Sequence, residues 1–212
     1  MWAYIKDNKI EQIYRTPKSL VIGEVRYPSN MFTKYTDAEK AAIGIYPVVD
    51  TGTKGDDRFQ YTSQATYTFD SSNNRVTTSY TVTDKALADS NAVDADGNNL
   101  LDNNGNQIIN YGLKHYAKEQ AKQTAHSLIK RFGWLVQRVT MDSSKTIPSA
   151  VTTYCANIRT DCADIITAID NASDMTAFKA LYTETVNSDG EVTQVARVNR
   201  WSDDTNVQQY VR

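Results

Sequence analysis

Apolar residues recur every second position in the first third of the chain and every third or fourth position in the second half. A period of two marks a strand with one covered face, and a period near 3.6 marks an amphipathic helix. Residues 2–5 and 10–14 flank the turn-forming Asp7-Asn8, which predicts a short antiparallel hairpin. Phe59, Tyr61, Ala65, Tyr67 and Phe69 all take odd positions, and Val76, Tyr80 and Val82 resume the alternation after the polar turn at 70–74. That pattern predicts a second hairpin. Between them Thr36-Asp37-Ala38-Glu39 spells a capping box, predicting a short helix over 37–43 that stops at Gly44 and leads into an extended run, 45–49.

From Leu113 the spacing changes. Leu113, Ala117, Ala121, Thr124, Leu128, Phe132, Leu135 and Val139, widened by Tyr116, Ala125, Ile129 and Val136, predict one helix over 113–139, about 40 Å long. A second helix starts near Pro148 and runs through Val151, Tyr154, Ile158, Ile165 and Ile169, and a short third covers 174–182. A closing hairpin turns at Ser188-Asp189-Gly190, and the polar stretch 199–212 reads as a tail or a partner-binding strand. The expected fold class is α+β: an N-terminal antiparallel β-rich module (1–83), a turn-rich linker (84–112), an antiparallel helical hairpin with a third short helix (113–183), and a C-terminal hairpin and tail (184–212).

Composition narrows the function classes. Among 212 residues, 40% are hydrophobic and the net charge is −2, so the chain can bury a core and has no global basic excess for nucleic acid or anionic lipid. The N-terminus has no basic-then-apolar leader pattern and no stretch is apolar enough to span a bilayer, so neither export nor membrane insertion is expected. Asn171-Ala172-Ser173 then reads as a chance sequon. Cys155 and Cys162 are seven apart on one predicted helix, beyond disulfide reach, and are expected as buried reduced thiols.

The sequence offers little catalytic chemistry. His115 and His126 lie about 16 Å apart along one helix and cannot share a metal. No nucleophile elbow, phosphate-binding loop or dinucleotide fingerprint occurs. The paired acids Asp56-Asp57 and Asp203-Asp204 sit in polar turns. An eight-residue repeat, Asp94-Ala95-Asp96-Gly97-Asn98 and Asp102-Asn103-Asn104-Gly105-Asn106, reads first as two tight turns. Its calcium reading lacks the Gly and the bidentate Glu of an EF-hand loop, leaving only an irregular oxygen site as a rival. The long helix is locally basic, with Lys114, Lys118, Lys122, Lys130, Arg131 and Arg138 against Glu119, which suits either a solvated or partner-facing surface or a phosphate-binding ridge. No enzyme activity, cofactor or metal site is expected.

The segment Thr36-Asp37-Ala38-Glu39-Lys40-Ala41-Ala42-Ile43-Gly44-Ile45-Tyr46-Pro47-Val48 resembles the signature of an acidic helix, Gly, aromatic, Pro and Val near the N-terminus of tailed-bacteriophage tail-associated proteins. Arg131-Phe132-Gly133-Trp134-Leu135-Val136-Gln137-Arg138, followed by Ile147-Pro148, Tyr154 and Arg159, is similar to a run in phage tail assembly chaperone-like and tail-fibre-associated domains. Gly133 stands where that run has Asp, and Cys155 where it has Arg. The resemblance implies a virion structural protein of the tail, baseplate or fibre-attachment region, assembled in the host cytoplasm. It would be a homo-oligomer among other phage structural proteins and contact neither nucleic acid nor membrane. The implied alternatives are a non-virion tail or tail-fibre assembly chaperone and a capsid decoration protein. Tyr46, Pro47, Trp134, Arg138, Tyr154 and Arg159 are the interface or scaffold residues it points to.

Overall fold

The computed structural model describes residues 1–211 and has an α+β fold. It separates into two compact units that meet in sequence between Asp84 and Lys85.

In the first unit β1 (Trp2–Lys6) and β2 (Lys9–Tyr14) form the expected hairpin, with Asp7 and Asn8 both at positive φ in its turn. β3 (Leu20–Ile22) and β4 (Val25–Tyr27) make a second, small hairpin, followed by the short helices α1 (Met31–Lys34) and α2 (Asp37–Ala42). The capping box forms as read: the Glu39 amide donates to Thr36 Oγ1 and the Thr36 amide to Glu39 Oε2. Gly44 then takes φ +78°, where a Cβ would run into the Ile5 carbonyl and the Tyr4 ring.

β5 (Ile45–Val49) enters the sheet beside β1, and β7 (Thr66–Asp70) and β8 (Arg75–Ser79) complete it in the order β2-β1-β5-β8-β7. β5 and β8 run parallel, so the sheet is mixed where an antiparallel one was expected. β6 (Gln60–Thr62) leaves the main sheet to pair with β9 (Val82–Asp84). The alternation along β1 explains the two-sided burial. Ala3 and Ile5 face a cluster with Val76, Tyr46, Tyr67 and Phe69, whereas Trp2 and Tyr4 face Tyr14, Met31, Phe32 and Ile45.

The second unit opens with the eight-residue repeat, which forms a three-spoked knot. Ala92, Leu100 and Ile108 close a ring of main-chain bonds: the Leu100 amide donates to the Ala92 carbonyl (2.9 Å), Ile108 to Leu100 (2.9 Å) and Ala92 to Ile108 (2.8 Å). Two spokes are the tight turns bridged at Val93–Asn99 and Leu101–Gln107, and the third is β10 (Ser90–Asn91) paired with β11 (Ile109–Asn110). The period of eight is thus the spacing of the ring residues.

Residues 85–112 fold as part of the second unit and Asp84 ends β9 of the first, where a linker over 84–112 is expected from sequence. The 85–112 stretch caps α3 (Leu113–Lys130): the amides of Leu113 and Lys114 donate to the carbonyls of Ala86 and Leu87, and Gly112 donates to Asp89 Oδ1. The otherwise unpaired donors of the helix start are satisfied from 86–89.

The single helix expected over 113–139 is two. α3 ends at Lys130, and α4 (Gly133–Met141) starts afresh after Phe132. α5 (Ser149–Asn171) runs antiparallel to α3, as Lys118 pairs with Asp170 near one end and Arg131 meets Tyr154 near the other. The small residues Ala117, Ala121 and Ala125 are the buried part of α3, opposite a helix that buries Ile158, Ile165 and Ile169 completely. Each of those isoleucines contributes roughly 1.5–3 kcal/mol. Tyr116 and Val136, expected in the buried stripe, are exposed.

α6 (Met175–Ala180) is capped by Asp174 and buries Met175 and Phe178. β12 (Thr185–Val186) and β13 (Val192–Gln194) form the final hairpin. The stretch from 199 is no free tail: it leaves one 3-10 turn (Arg197–Asn199) and contains a second (Thr205–Tyr210), and Val207 is buried in the helical core, with Trp201, Tyr210 and Val211 packed against it.

Candidate functional site

The break between α3 and α4 is organised by Arg131. Its Nε donates to the Leu128 carbonyl (3.1 Å), and its Nη2 donates to the Tyr154 hydroxyl and Asp204 Oδ2, both at 3.0 Å. Phe132 turns inward and meets the Tyr154 ring edge-on at 5.7 Å. Burial raises the Tyr154 hydroxyl above its ordinary pKa, with the Arg131 charge acting against the shift, so the phenol remains protonated.

Where α4 departs at Gly133, a groove of about 280 Å³ remains between it and α5. Ile129, Phe132, Val136, Ile147 and Val151 supply apolar lining. Gly133 also lines it, and a Cβ there would meet nothing within 4 Å. The charged residues of the lining are Lys130 and Arg159, both exposed, and no acid contributes. Arg159 Nη1 donates to the Cys155 carbonyl, which holds the guanidinium along its own helix.

Cys155 is free and half-buried rather than fully buried, as is Cys162. Burial pushes the Cys155 thiol up, against the pull of Arg159 and Arg131, so it stays neutral at physiological pH and is a poor nucleophile. An apolar cleft with cations at its edge suits the binding of an apolar group flanked by negative charge.

Three of the residues singled out by sequence gather around this end of the helical unit. Arg159 lines the groove, Tyr154 is buried beneath it, and Trp134 donates from Nε1 to the Tyr210 carbonyl at 3.0 Å. Arg138 lies with Trp134, Gln137, Met141 and Asp142 around a separate shallow depression. Tyr46 and Pro47 belong to the first unit: Tyr46 packs on Phe69 with centroids 4.8 Å apart, and Pro47 lies opposite Trp2 in the β1–β5 ladder. Neither the groove beside Gly133 nor the Arg131–Asp204 pair is visible in the sequence. The two charges are 73 positions apart, and no local pattern couples them.

The side chains of the other readings have partners within the fold. Lys114 donates to the Asp170 carbonyl, Lys118 pairs with Asp170, and Lys122 pairs with Glu119, so three cations of the proposed phosphate ridge are engaged within the helical unit. In the repeat, Asp94 Oδ1 accepts the amides of Asp96 and Asn98 while Oδ2 accepts Asn98 Nδ2, and Asp102 does the same with Asn104 and Asn106. These carboxylates hold turns. Among the described residues no group of three His, Cys, Asp or Glu side chains is arranged to hold a metal, and no helix is long and apolar enough to cross a membrane. His115 stacks on Tyr111 at 3.9 Å, with Nδ1 3.6 Å from Asp89 Oδ2.

Comparison of the chain with protein-family models, with curated proteins and with solved structures found no match.

Proposed function

We propose that this chain is a structural protein of a tailed-bacteriophage virion, in the tail, baseplate or fibre-attachment region, working by protein–protein contact. The observation that carries the contact role is the open apolar groove beside Gly133, with exposed Lys130 and Arg159 in its lining. An apolar cleft with cations at its edge fits a side chain of a protein partner better than a reaction. The phage assignment rests on the two sequence resemblances, at 36–48 and at 131–159. Tyr154, Trp134 and Arg131 act beneath the surface as the scaffold that keeps the groove open, and symmetric assembly with other copies is the expected mode.

The test is peptide mass spectrometry of gradient-purified particles set against unfractionated lysate. Enrichment with the particles supports the virion reading. Presence in lysate alone overturns it and favours a transient assembly chaperone.

A further inference from the structure

The hairpin of residues 183–195 has the complementary character of the groove. Every one of these residues is exposed except Asn187, which is half-exposed. Val186 and Val192 lie directly opposite each other across the ladder and remain 55% and 50% exposed. Paired positions share a face of a two-stranded sheet, so the two valines form one apolar patch. The same stretch carries Glu184, Asp189 and Glu191 and no base.

Its turn is built to hold shape. Asn187 Oδ1 accepts the amides of Asp189 and Glu191, the Asn187 amide donates to the Glu191 carbonyl, and Gly190 takes φ +82°. A two-stranded hairpin is marginal alone, and one that keeps its valines outward while fixing its turn is prepared for docking at low ordering cost.

We infer that the 183–195 hairpin of one copy docks into the groove between α3, α4 and α5 of another copy, seating Val186 and Val192 on the apolar lining and bringing the acidic arm to Lys130 and Arg159. The inference rests on the reading of the chain as an assembly component and names the partner of that groove as the protein itself. The choice of a second copy follows from charge and shape class: the groove lining is basic without an acid, and the arm is acidic without a base. Arm and groove are different surfaces, so the contact propagates from copy to copy as a ring or chain, or closes as a reciprocal pair. A contact this small falls below the ~1,200 Å² of stable complexes and is weak singly, gaining strength through repetition in an assembly.

Sedimentation velocity of the full chain over a wide concentration range tests this. The mass of the wild type should rise with concentration. Crowding the groove with Gly133→Phe, at a lining position where a Cβ meets no atom within 4 Å, should weaken association about tenfold or more, as should Val186→Asp with Val192→Asp on the exposed arm. Circular dichroism should show both variants folded. An equimolar mixture of the two variants should form a one-to-one dimer and nothing larger, because only one intact arm and one intact groove can meet.

A wild type that stays monomeric up to the highest concentration, association undiminished in both variants, or a mixture that at that concentration associates no more than either variant alone overturns the inference. Each of these results leaves the particle measurement untouched, so failure of the contact and failure of the virion reading are told apart.

Discussion

Trp134 Nε1 donates a hydrogen bond to the Tyr210 carbonyl at 3.0 Å, joining α4 to the end of the described chain across 76 positions. With Arg131 reaching Asp204, this bond makes the polar C-terminal stretch part of the helical core. Trp134→Ala should remove the bond and the packing of a half-buried ring, costing about 2–3 kcal/mol, below the value for full burial. Urea unfolding should show the loss, and amide exchange at 205–210 should rise more than at 158–169.

Leu128 is half-buried against the cluster of Phe132, Leu135, Tyr154 and Ile158. Leu128→Asp would press a carboxylate on that cluster and should lower stability by about 2–4 kcal/mol. Thermal unfolding followed by circular dichroism checks this. An unchanged midpoint would mean the α3 face is turned to a partner.

Gly112 sits where a Cβ would run into the carbonyls of Leu87 and Ala88. Both obstacles are main chain and cannot swing aside. Gly112→Ala should therefore push the 86–89 segment off the start of α3 and cost about 1–3 kcal/mol, read as a lower melting temperature. Gly97→Ala meets no atom within 4 Å but must hold φ +85°, so its cost comes from the backbone alone.

The turns of the knot give a pH prediction with its own control. Bonds from Asn98, foremost its amide, hold the Asp94 carboxyl below the usual Asp value of 3.8, and bonds from Asn106 do the same for Asp102. A carboxyl depressed by folding stabilises fully above its unfolded pKa, and that contribution is lost as pH falls through the folded value. The Asp96 and Asn98 amides should thus lose exchange protection on acidification below about pH 4. In the 187–191 turn the equivalent acceptor is the neutral Asn187 amide oxygen, so the Asp189 and Glu191 amides should keep their acceptor over the same range. Asp94→Asn should preserve the turn without the pH dependence, and Asp94→Ala should abolish it.

Local chemistry was legible in the sequence. The Thr36–Glu39 box, the Asp7-Asn8 turn and the alternation at Tyr67, Phe69 and Val76 each act within a few residues, and each is present in the fold. The period of eight was visible too, but the ring it encodes needs Ala92 and Ile108 to meet across 16 positions. Distance hid the rest. The parallel pairing of Val48 with Val76 has no turn between the strands to announce it, and Arg131 finds Asp204 only after three helices have packed. The apolar stripe continues through Phe132, and the only local sign of a stop is Gly133; the inward turn of Phe132 and the bonds of Arg131 sit at the break, and the groove lies beside it. Tyr46 and Pro47 lie in the first unit and Trp134 and Arg159 in the second, the same division that separates the two resemblances along the sequence.

Assembly into a phage particle is measured most directly by copy number. Peptides of this chain should be quantified against the major capsid protein in gradient-purified particles. A tail or baseplate position corresponds to a few to a few tens of copies per particle. Hundreds of copies would move the protein to the capsid surface and contradict the tail assignment, and absence from particles with abundance in the lysate would contradict the virion reading altogether.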